Sequence, residues 1–514
     1  MDDVPVQRSF RGRARHVHGE REVDEARRRA EAEPQNGRLW MRLARMEQSV
    51  GRKREALQNG LREDPENGFL WHALGMVEWR EAADISASEQ AFRTGIERAK
   101  SGSVGALYQS LAILVSMTRK EEGEAVDLFE KGLTVDPGHG PLYVALAETL
   151  KRSGKWKEAL EVLQRGVRVR EAATHAPLWR AFACMEQRSG RFASALEKWA
   201  EAVRIDPSEM QSSIHLAELM EQVGRGVEVA AEVLRKALAA SSDLQGTKDW
   251  AEAIVMLAGY EERMGDVRVA RAVLHEAKTK FSPHPPTEIV KALASLEARE
   301  GNMQKARELF SLAAAQDESQ TIKILHNWAI CEAKFGSVEQ SKVLLEKASE
   351  RDPSDSAIWR AIGELESREL NFDRARAAYR KATKLKPHDV RLWHAWGKCE
   401  VLAGNHEEGE KHFRHCVSLA SSFSLNSPAR ASRGASRTAC DALCEIASLA
   451  SRDGRLDDAR NCLREAVTID SSQPWAWRFL ADIEDQLIGE GRFREVFQEA
   501  IRQGPHSIAC KISH

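Results

Sequence analysis

The chain has 514 residues, with 76 Lys+Arg against 78 Asp+Glu and a formal charge of −2, so bulk electrostatics select no partner and any nucleic-acid site must be local. A hydrophobic fraction of 42%, a charged fraction of 30% and a mean hydropathy of −0.48 describe a folded protein with apolar surface to bury, which excludes disorder throughout. No apolar run approaches the ~20 residues of a membrane-spanning helix, the opening MDDVPVQRSF lacks a secretory core, and eight Cys are too dilute for a disulfide scaffold.

In chain order, residues 1–19 come first as a basic arm. Arg8, Arg11, Arg13 and Arg15, with His16 and His18, form an acid-free stretch. It reads as a disordered, solvated arm, with nucleic-acid contact or a remnant of a targeting sequence as alternatives. From about residue 20 a repeat takes over. Gly154-Lys-Trp-Lys-Glu-Ala-Leu, Gly190-Arg-Phe-Ala-Ser-Ala-Leu, Gly301-Asn-Met-Gln-Lys-Ala-Arg and Gly454-Arg-Leu-Asp-Asp-Ala-Arg share one pattern. The small residue five positions after the glycine, or its equivalent, recurs at 56, 91, 125, 159, 195, 230, 270, 306, 341, 375, 409, 459 and 496. That makes thirteen two-helix units, one to eleven over 20–417 and the last two over 439–504. The single long spacing, between 409 and 459, reads as an inserted Ser/Arg-rich loop over 418–438, and 505–514 as a tail.

Helix geometry predicts what each unit does. With the recurring small residue as unit position 20, position 4 carries aromatic anchors (Trp40, Tyr143, Trp179, Trp359, Trp393), joined by Trp71 and Trp477 in an offset register. One turn on, position 8 is small, as at Ala147, Ala183, Gly363 and Gly397, which lets two helices approach closely. The second helix alternates the same way, with Phe129, Trp199, Phe310, Tyr379 and Phe413 at position 24. Gly at position 15 suits the left-handed residue past a helix end, and Asp136-Pro137, Asp206-Pro207 and Asp352-Pro353 suit a stop followed by a new start. No unit can bury its apolar face alone, so neighbours must stack. The expected fold is all-α, a right-handed superhelical α-solenoid of about thirteen helix-turn-helix repeats whose first helices line the concave side.

Position 11 is Glu at 47, 186, 221, 261, 297, 332, 366 and 400. A carboxylate near a helix C-terminus opposes the helix dipole, so its recurrence predicts a compensating bond from a neighbouring helix rather than acid/base chemistry. The Trp-plus-Glu first helix, followed by Ala306-Arg307-Glu308-Leu309-Phe310 or Ala375-Arg376-Ala377-Ala378-Tyr379 in the second, resembles the tetratricopeptide (TPR) family and more closely its half-a-TPR (HAT) branch in RNA metabolism. Within that branch the uninterrupted array is most similar to chloroplast factors that mature and stabilise photosystem II transcripts. The resemblance implies single-stranded RNA as partner and a chloroplast location, with the nucleus as alternative. Asp2 and Asp3 at the start do not look like a transit peptide.

Two rows of cations point to where a ligand would lie. Position 5, one residue past the anchor, reads Arg180, His215, Lys291, His326, Arg360 and His394, with Arg478 in the last unit. Position 13, two turns along, reads Arg188, Arg263, Arg299, Lys334 and Arg368, with Arg152 and Arg452. A threaded polyanion would meet a charge or imidazole at nearly every unit, with Gln187, Gln222 and Lys398 placed to read bases. The position-13 row also suits the helix dipole whatever the ligand, and acidic peptides would suit the same cations. His412, His415 and Cys416, and Cys440 with Cys444, have one-turn spacing but no second ligand cluster, which favours core residues over a metal site.

No phosphate loop or nucleophile elbow occurs, and no stretch is left for a catalytic domain. The expected function is therefore non-enzymatic and cofactor-free: a sequence-selective single-stranded RNA-binding protein that stabilises, processes or aids translation of organellar mRNA by occupying a 5′ segment. The alternative is a protein-protein scaffold of TPR/HAT type in nuclear RNA processing, with other proteins of such a complex as partners.

Overall fold

The computed structural model describes residues 22–100, 104–118, 122–241, 247–281, 284–316, 320–423, 429–470 and 473–488, with 496, 498 and 499 beyond them. The arm over 1–19 and the tail over 505–514 lie outside the described residues. Every regular element among the described residues is helical, and none is long and apolar enough to cross a membrane. The chain divides into two compact units, the first Met1–Glu186 with Glu197–Asp206, the second Gln187–Leu196 with Pro207–His514.

The first unit holds α1 (22–32), α2 (Gly37–Met46), α3 (Val50–Glu63), α4 (Gly68–Arg80), α5 (Ile85–Arg98), α6 (Val104–Thr118), α7 (Glu122–Val135), α8 (Gly140–Arg152), α9 (Trp156–Arg168) and most of α10 (Ala176–Arg188) and α11 (Phe192–Ile205). The second holds α12 (Met210–Gln222), α13 (Val227–Ala240), α14 (Lys248–Arg263), α15 (Val267–Lys280), α16 (Thr287–Arg299), α17 (Met303–Gln316), α18 (Thr321–Phe335), α19 (Val338–Arg351), α20 (Ser356–Arg368), α21 (Phe372–Leu385), α22 (Val390–Leu402), α23 (His406–Phe423), α24 (Ala429–Arg452), α25 (Leu456–Ile469) and α26 (Pro474–Ile488). Within each unit the helices pair as hairpins of an A and a B helix, and each pair packs on the next, the stacked-repeat architecture that the periodicity predicts. Successive A helices also touch: α2, α4, α6 and α8 in the first unit, and α12, α14, α16, α18, α20, α22 and α24 in the second.

The anchors work as spacers between one repeat and the turn before it. Trp40, Trp71, Trp359 and Trp393 donate their indole N–H to the carbonyls of Pro34, Pro65, Pro353 and Pro387 at 2.8–2.9 Å, and the Tyr143 hydroxyl donates to Pro137 at 3.1 Å. Each bond fixes the angle at which the A helix leaves the B–A turn, for about 1 kcal/mol. The small positions do what their size allows. A Cβ added at Gly363 would sit 2.7 Å from the Tyr379 ring, and one at Gly397 would sit 2.6 Å from the Phe413 ring. Gly154, Gly190, Gly265, Gly301, Gly404 and Gly454 take the left-handed conformation at the A–B turn.

The position-11 glutamates, with Glu78 and Glu484 as their counterparts in the two units of offset register, knit consecutive repeats together. Glu78, Glu261, Glu297, Glu332, Glu400 and Glu484 are all at most 5% exposed. Each accepts from an arginine on the preceding B helix, respectively Arg54, Arg235, Arg271, Arg307, Arg376 and Arg464, at 2.5–2.9 Å. The second oxygen is taken by the repeat's own A–B turn: Asn302 donates to Glu297 at 2.7 Å, Asn371 to Glu366 at 2.8 Å and Asn405 to Glu400 at 3.0 Å. Burial alone would raise the Glu400 pKa, but donors on Arg376, Asn405 and Trp396 outweigh it and hold the carboxyl at about 2. Glu221 departs from the ladder: it is exposed and pairs with Arg263 instead.

The insertion expected as a loop over 418–438 is helical on both sides, α23 running to Phe423 and α24 beginning at Ala429, with 424–428 outside the described residues. Its Ala- and Arg-rich composition carries high helix propensity, which outweighs the Ser content. The residues weighed as ligand clusters are packing residues. His412 stacks on Trp396 at 4.3 Å, His415 meets Trp393 edge-on at 4.4 Å, and Cys416, Cys440 and Cys444 are in the core.

Candidate functional site

The A-helix wall carries the two predicted rows. In the first unit, Arg180 is half-buried on α10. Arg188, at the end of the same helix, is exposed. In the second unit, His215 lies 3.7 Å from Glu218 on its own helix. Lys291 is half-buried on α16, with no carboxylate in ion-pair reach among the described residues.

Much of both rows is already engaged. Arg263 meets Glu221 on the preceding A helix at 2.5 Å, Arg299 meets Glu262 in the same way at 2.7 Å, and Arg360 is paired with Glu364 one turn along α20. Glu221 and Glu262 answer their cations across neighbouring A helices, a register that single-helix periodicity does not reveal. Gln187 is half-buried and Gln222 exposed, while Lys398 is held by Glu445 at 3.3 Å.

Two imidazoles of the first row, those of His326 and His394, are neutral at physiological pH. Burial lowers the His326 pKa, with Arg360 opposite pushing the same way. For His394, burial and then Lys398 lower the pKa to about 4, against a smaller opposite pull from Glu445. Both Nε2 atoms are buried without a hydrogen-bond partner. Lys334 and Arg368 are different: they stand exposed at the C-terminal ends of α18 and α20, with no carboxylate in ion-pair reach among the described residues.

Two clefts open on this wall, both in the second unit. The first, about 260 Å³, lies between α18, α19 and α20, where Ala329, Ala333 and Ala361 leave room and Lys334, Arg360 and Arg368 supply charge. The second, about 440 Å³, lies between α22, α24 and α26 and is lined by His394, Lys398, Asp441, Glu445, Trp475 and Phe479. Burial raises the Asp441 pKa, with Arg437 and Lys398 opposing. Trp475 is 42% exposed, although the anchor two residues on, Trp477, is fully buried. The row-by-row reading missed this aromatic, and an extra Trp beside an anchor was the available signal. Among the described residues no group of His, Cys, Asp and Glu could hold a metal ion.

The wall thus offers mixed charge, neutral imidazole and exposed aromatic surface. Three segments match tetratricopeptide repeat families, residues 118–176, 332–390 and 441–473. Among solved structures the chain is similar to yeast Tom70, with 14% identity and a TM-score of 0.46 over 87% of this chain and 95% of that one. No curated protein matches the sequence. Helix pairs stacked at a period near 35 residues make this chain a helical repeat protein, and its three matched segments are similar to tetratricopeptide repeats.

Proposed function

We propose that the chain is a non-catalytic scaffold that holds a protein partner against the A-helix wall of its second unit. The observation that carries this reading is the larger cleft, where the buried, unpartnered Nε2 of neutral His394 sits in one lining with the exposed ring of Trp475. A polypeptide segment fits such a surface: it supplies an N–H for the imidazole and an apolar side chain for the indole. The charges support it as well. Glu221, Glu262 and Glu364 already neutralise three of the cations, so a polyanion gains little there, whereas a mixed-charge segment is accommodated. The non-catalytic part of the reading rests on the recurring carboxylate, whose oxygens are committed to Arg, Asn and Trp donors and are left no proton-transfer role.

Partner capture from an extract of the source cells, with and without ribonuclease, tests this reading. The expected result is a defined protein partner that survives ribonuclease and is lost from a His394→Ala/Trp475→Ala variant. Capture that collapses on ribonuclease treatment would overturn it.

Single-stranded RNA is the second reading, favoured by Lys291, Lys334 and Arg368, which no carboxylate neutralises among the described residues, and by the HAT-like Trp and Glu pattern of RNA-processing proteins. It predicts a gel shift at low salt that a Lys291→Glu/Lys334→Glu/Arg368→Glu variant abolishes, with a steep salt dependence. On this reading the bound segment is the 5′ region of an organellar transcript.

A further inference from the structure

We propose that the larger cleft takes an arginine of the bound segment, its guanidinium paired with Asp441 and laid against the ring of Trp475. This rests on the scaffold reading and names the residue by which a partner docks. The cleft has a volume of about 440 Å³, within the range of about 300–1,000 Å³ common to ligand pockets. Three A helices supply its charged and aromatic lining: α22 gives His394 and Lys398, α24 gives Asp441 and Glu445, and α26 gives Trp475 and Phe479.

Two carboxylates face one ammonium in this lining. Lys398 is held by Glu445 at 3.3 Å, so the other carboxylate is left over. Asp441 is half-buried, and among the described residues it makes no ion pair and no side-chain hydrogen bond. Its raised pKa, caused first by burial, marks a carboxylate whose lost hydration nothing has replaced. Arg437, one turn earlier on α24, acts on it only at a distance. The charged residues that flank the lining in sequence, Arg437, Arg452, Arg478 and Asp482, are exposed, and none of them lines the cleft. Solvent and salt screen such exposed charges, so a guest in the cleft responds chiefly to the lining.

The walls decide which guest fits. A carboxylate would be repelled by Asp441, and a neutral amide would leave its charge uncompensated. Lysine would answer the charge as a strongly hydrated point, whereas the planar guanidinium of arginine pairs with a carboxylate through two N–H groups and also stacks on an aromatic face. Trp475 offers a ring that is 42% exposed, and Phe479 lines the same wall half-buried. Elsewhere this chain covers aromatic rings with its own cations, Lys381 over Trp359 at 4.1 Å and Arg165 over Tyr143 at 5.8 Å. Among the described residues no cation of the chain stands over Trp475, and an arginine from a partner would supply it. A guanidinium has five N–H donors, so one remains for Nε2 of His394, the acceptor in this lining that has no partner.

The test uses the full chain and a short neutral peptide of Gly, Ser and Leu with one central arginine, labelled with fluorescein and read by anisotropy at low salt. The same peptide carrying lysine, glutamate or citrulline in that place is the comparison, citrulline keeping the shape of arginine without its charge. The arginine peptide is expected to bind at least about tenfold more tightly than the citrulline and glutamate peptides, and to lose about tenfold on Asp441→Asn and on Trp475→Ser. Asn keeps the shape of Asp, and an unpaired half-buried carboxylate adds no stability, so Asp441→Asn should keep or raise the thermal midpoint, which separates lost binding from lost folding. Failure of the arginine peptide to bind, equal binding of the lysine or citrulline peptide, or undiminished binding to Asp441→Asn would each overturn the proposal. Partner capture keeps the two readings apart. A ribonuclease-resistant partner that Asp441→Asn retains would remove the arginine and leave the scaffold standing, whereas capture that collapses on ribonuclease treatment removes the scaffold whatever the peptides do.

Discussion

Arg376, on the B helix of one repeat, closes a two-pronged ion pair on Glu400 of the next, Nε to Oε1 at 2.9 Å and Nη2 to Oε2 at 2.9 Å. The carboxylate is 5% exposed, and its remaining acceptor sites take Trp396 Nε1 at 3.0 Å and Asn405 Nδ2 at 3.0 Å. In a stacked-repeat protein, stability is a sum of repeat and interface contributions, and this bond belongs to the interface. It ties α21 to α22.

Replacing Arg376 by Ala leaves a buried carboxylate with only its two neutral donors. Removal of one partner from a buried pair costs about 3–5 kcal/mol; the arginine is partly solvated and two donors remain, so about 2 kcal/mol is expected here. Urea unfolding followed by circular dichroism measures it, with hydrogen exchange showing whether α22 and α23 loosen first. A loss below about 0.5 kcal/mol would place the pair among ordinary surface bridges.

The same carboxylate predicts an acid transition. Its folded-state pKa, about 2, is depressed below the ordinary value of 4.5, so its contribution is fully present above about pH 5 and disappears as pH falls toward 2. Its upper bound is about 3 kcal/mol. Glu332, lowered by Arg307, Ser337 and Trp328 against the cost of burial, acts in the same sense. A Glu400→Gln variant should be less stable than wild type at pH 7, and the gap should narrow below about pH 5 and close only near pH 2. A gap that stays constant across that range would contradict the assignment.

The imidazole at the larger cleft titrates in a higher window. His394 faces Lys398 on its own helix, Glu445 and Asp441 on α24, and the Phe413 ring at 5.7 Å. Its pKa is lowered from 6.5 to about 4 chiefly by burial, so between these values the unfolded chain binds a proton that the folded chain refuses. Stability therefore falls as pH drops from about 7 to 4, by at most about 3 kcal/mol. His394→Phe, close in shape, should flatten that part of the profile. An unchanged slope between pH 7 and 4 would show that the imidazole is solvated in the folded protein.

What the sequence disclosed and what it withheld follow from the range of each signal. Trp359 and Trp393 were legible as anchors because their partners, Pro353 and Pro387, lie six residues upstream, within one period. The glutamate ladder was legible as structural because one residue type recurred at an electrostatically poor place, though its arginine donors emerge only once B and A helices are docked. The cation rows were legible as rows, but not the carboxylates that bind Arg263 and Arg299, which sit on the preceding A helix. The larger cleft escaped for the same reason: His394, Asp441 and Trp475 come from three repeats, and the helix contributing Asp441 begins inside the segment taken for a loop.

Two glycines separate packing from propensity. Gly397 and Gly259 both lie inside helices, where alanine is intrinsically better by about 1 kcal/mol. At Gly259 an added Cβ would meet nothing within 4 Å, so Gly259→Ala should gain that amount and raise the melting temperature. At Gly397 the same methyl would lie 2.6 Å from the fully buried ring of Phe413. Over-packing costs about 1–3 kcal/mol, which exceeds the propensity gain, so Gly397→Ala should lose about 1 kcal/mol. Pairing it with Phe413→Leu, which removes ring atoms from the contact, should bring a coupling of about 1 kcal/mol in a double-mutant cycle. Additive effects would mean that α22 shifts away from α23 freely, and that the small residue at position 8 is not what sets the approach of the two helices.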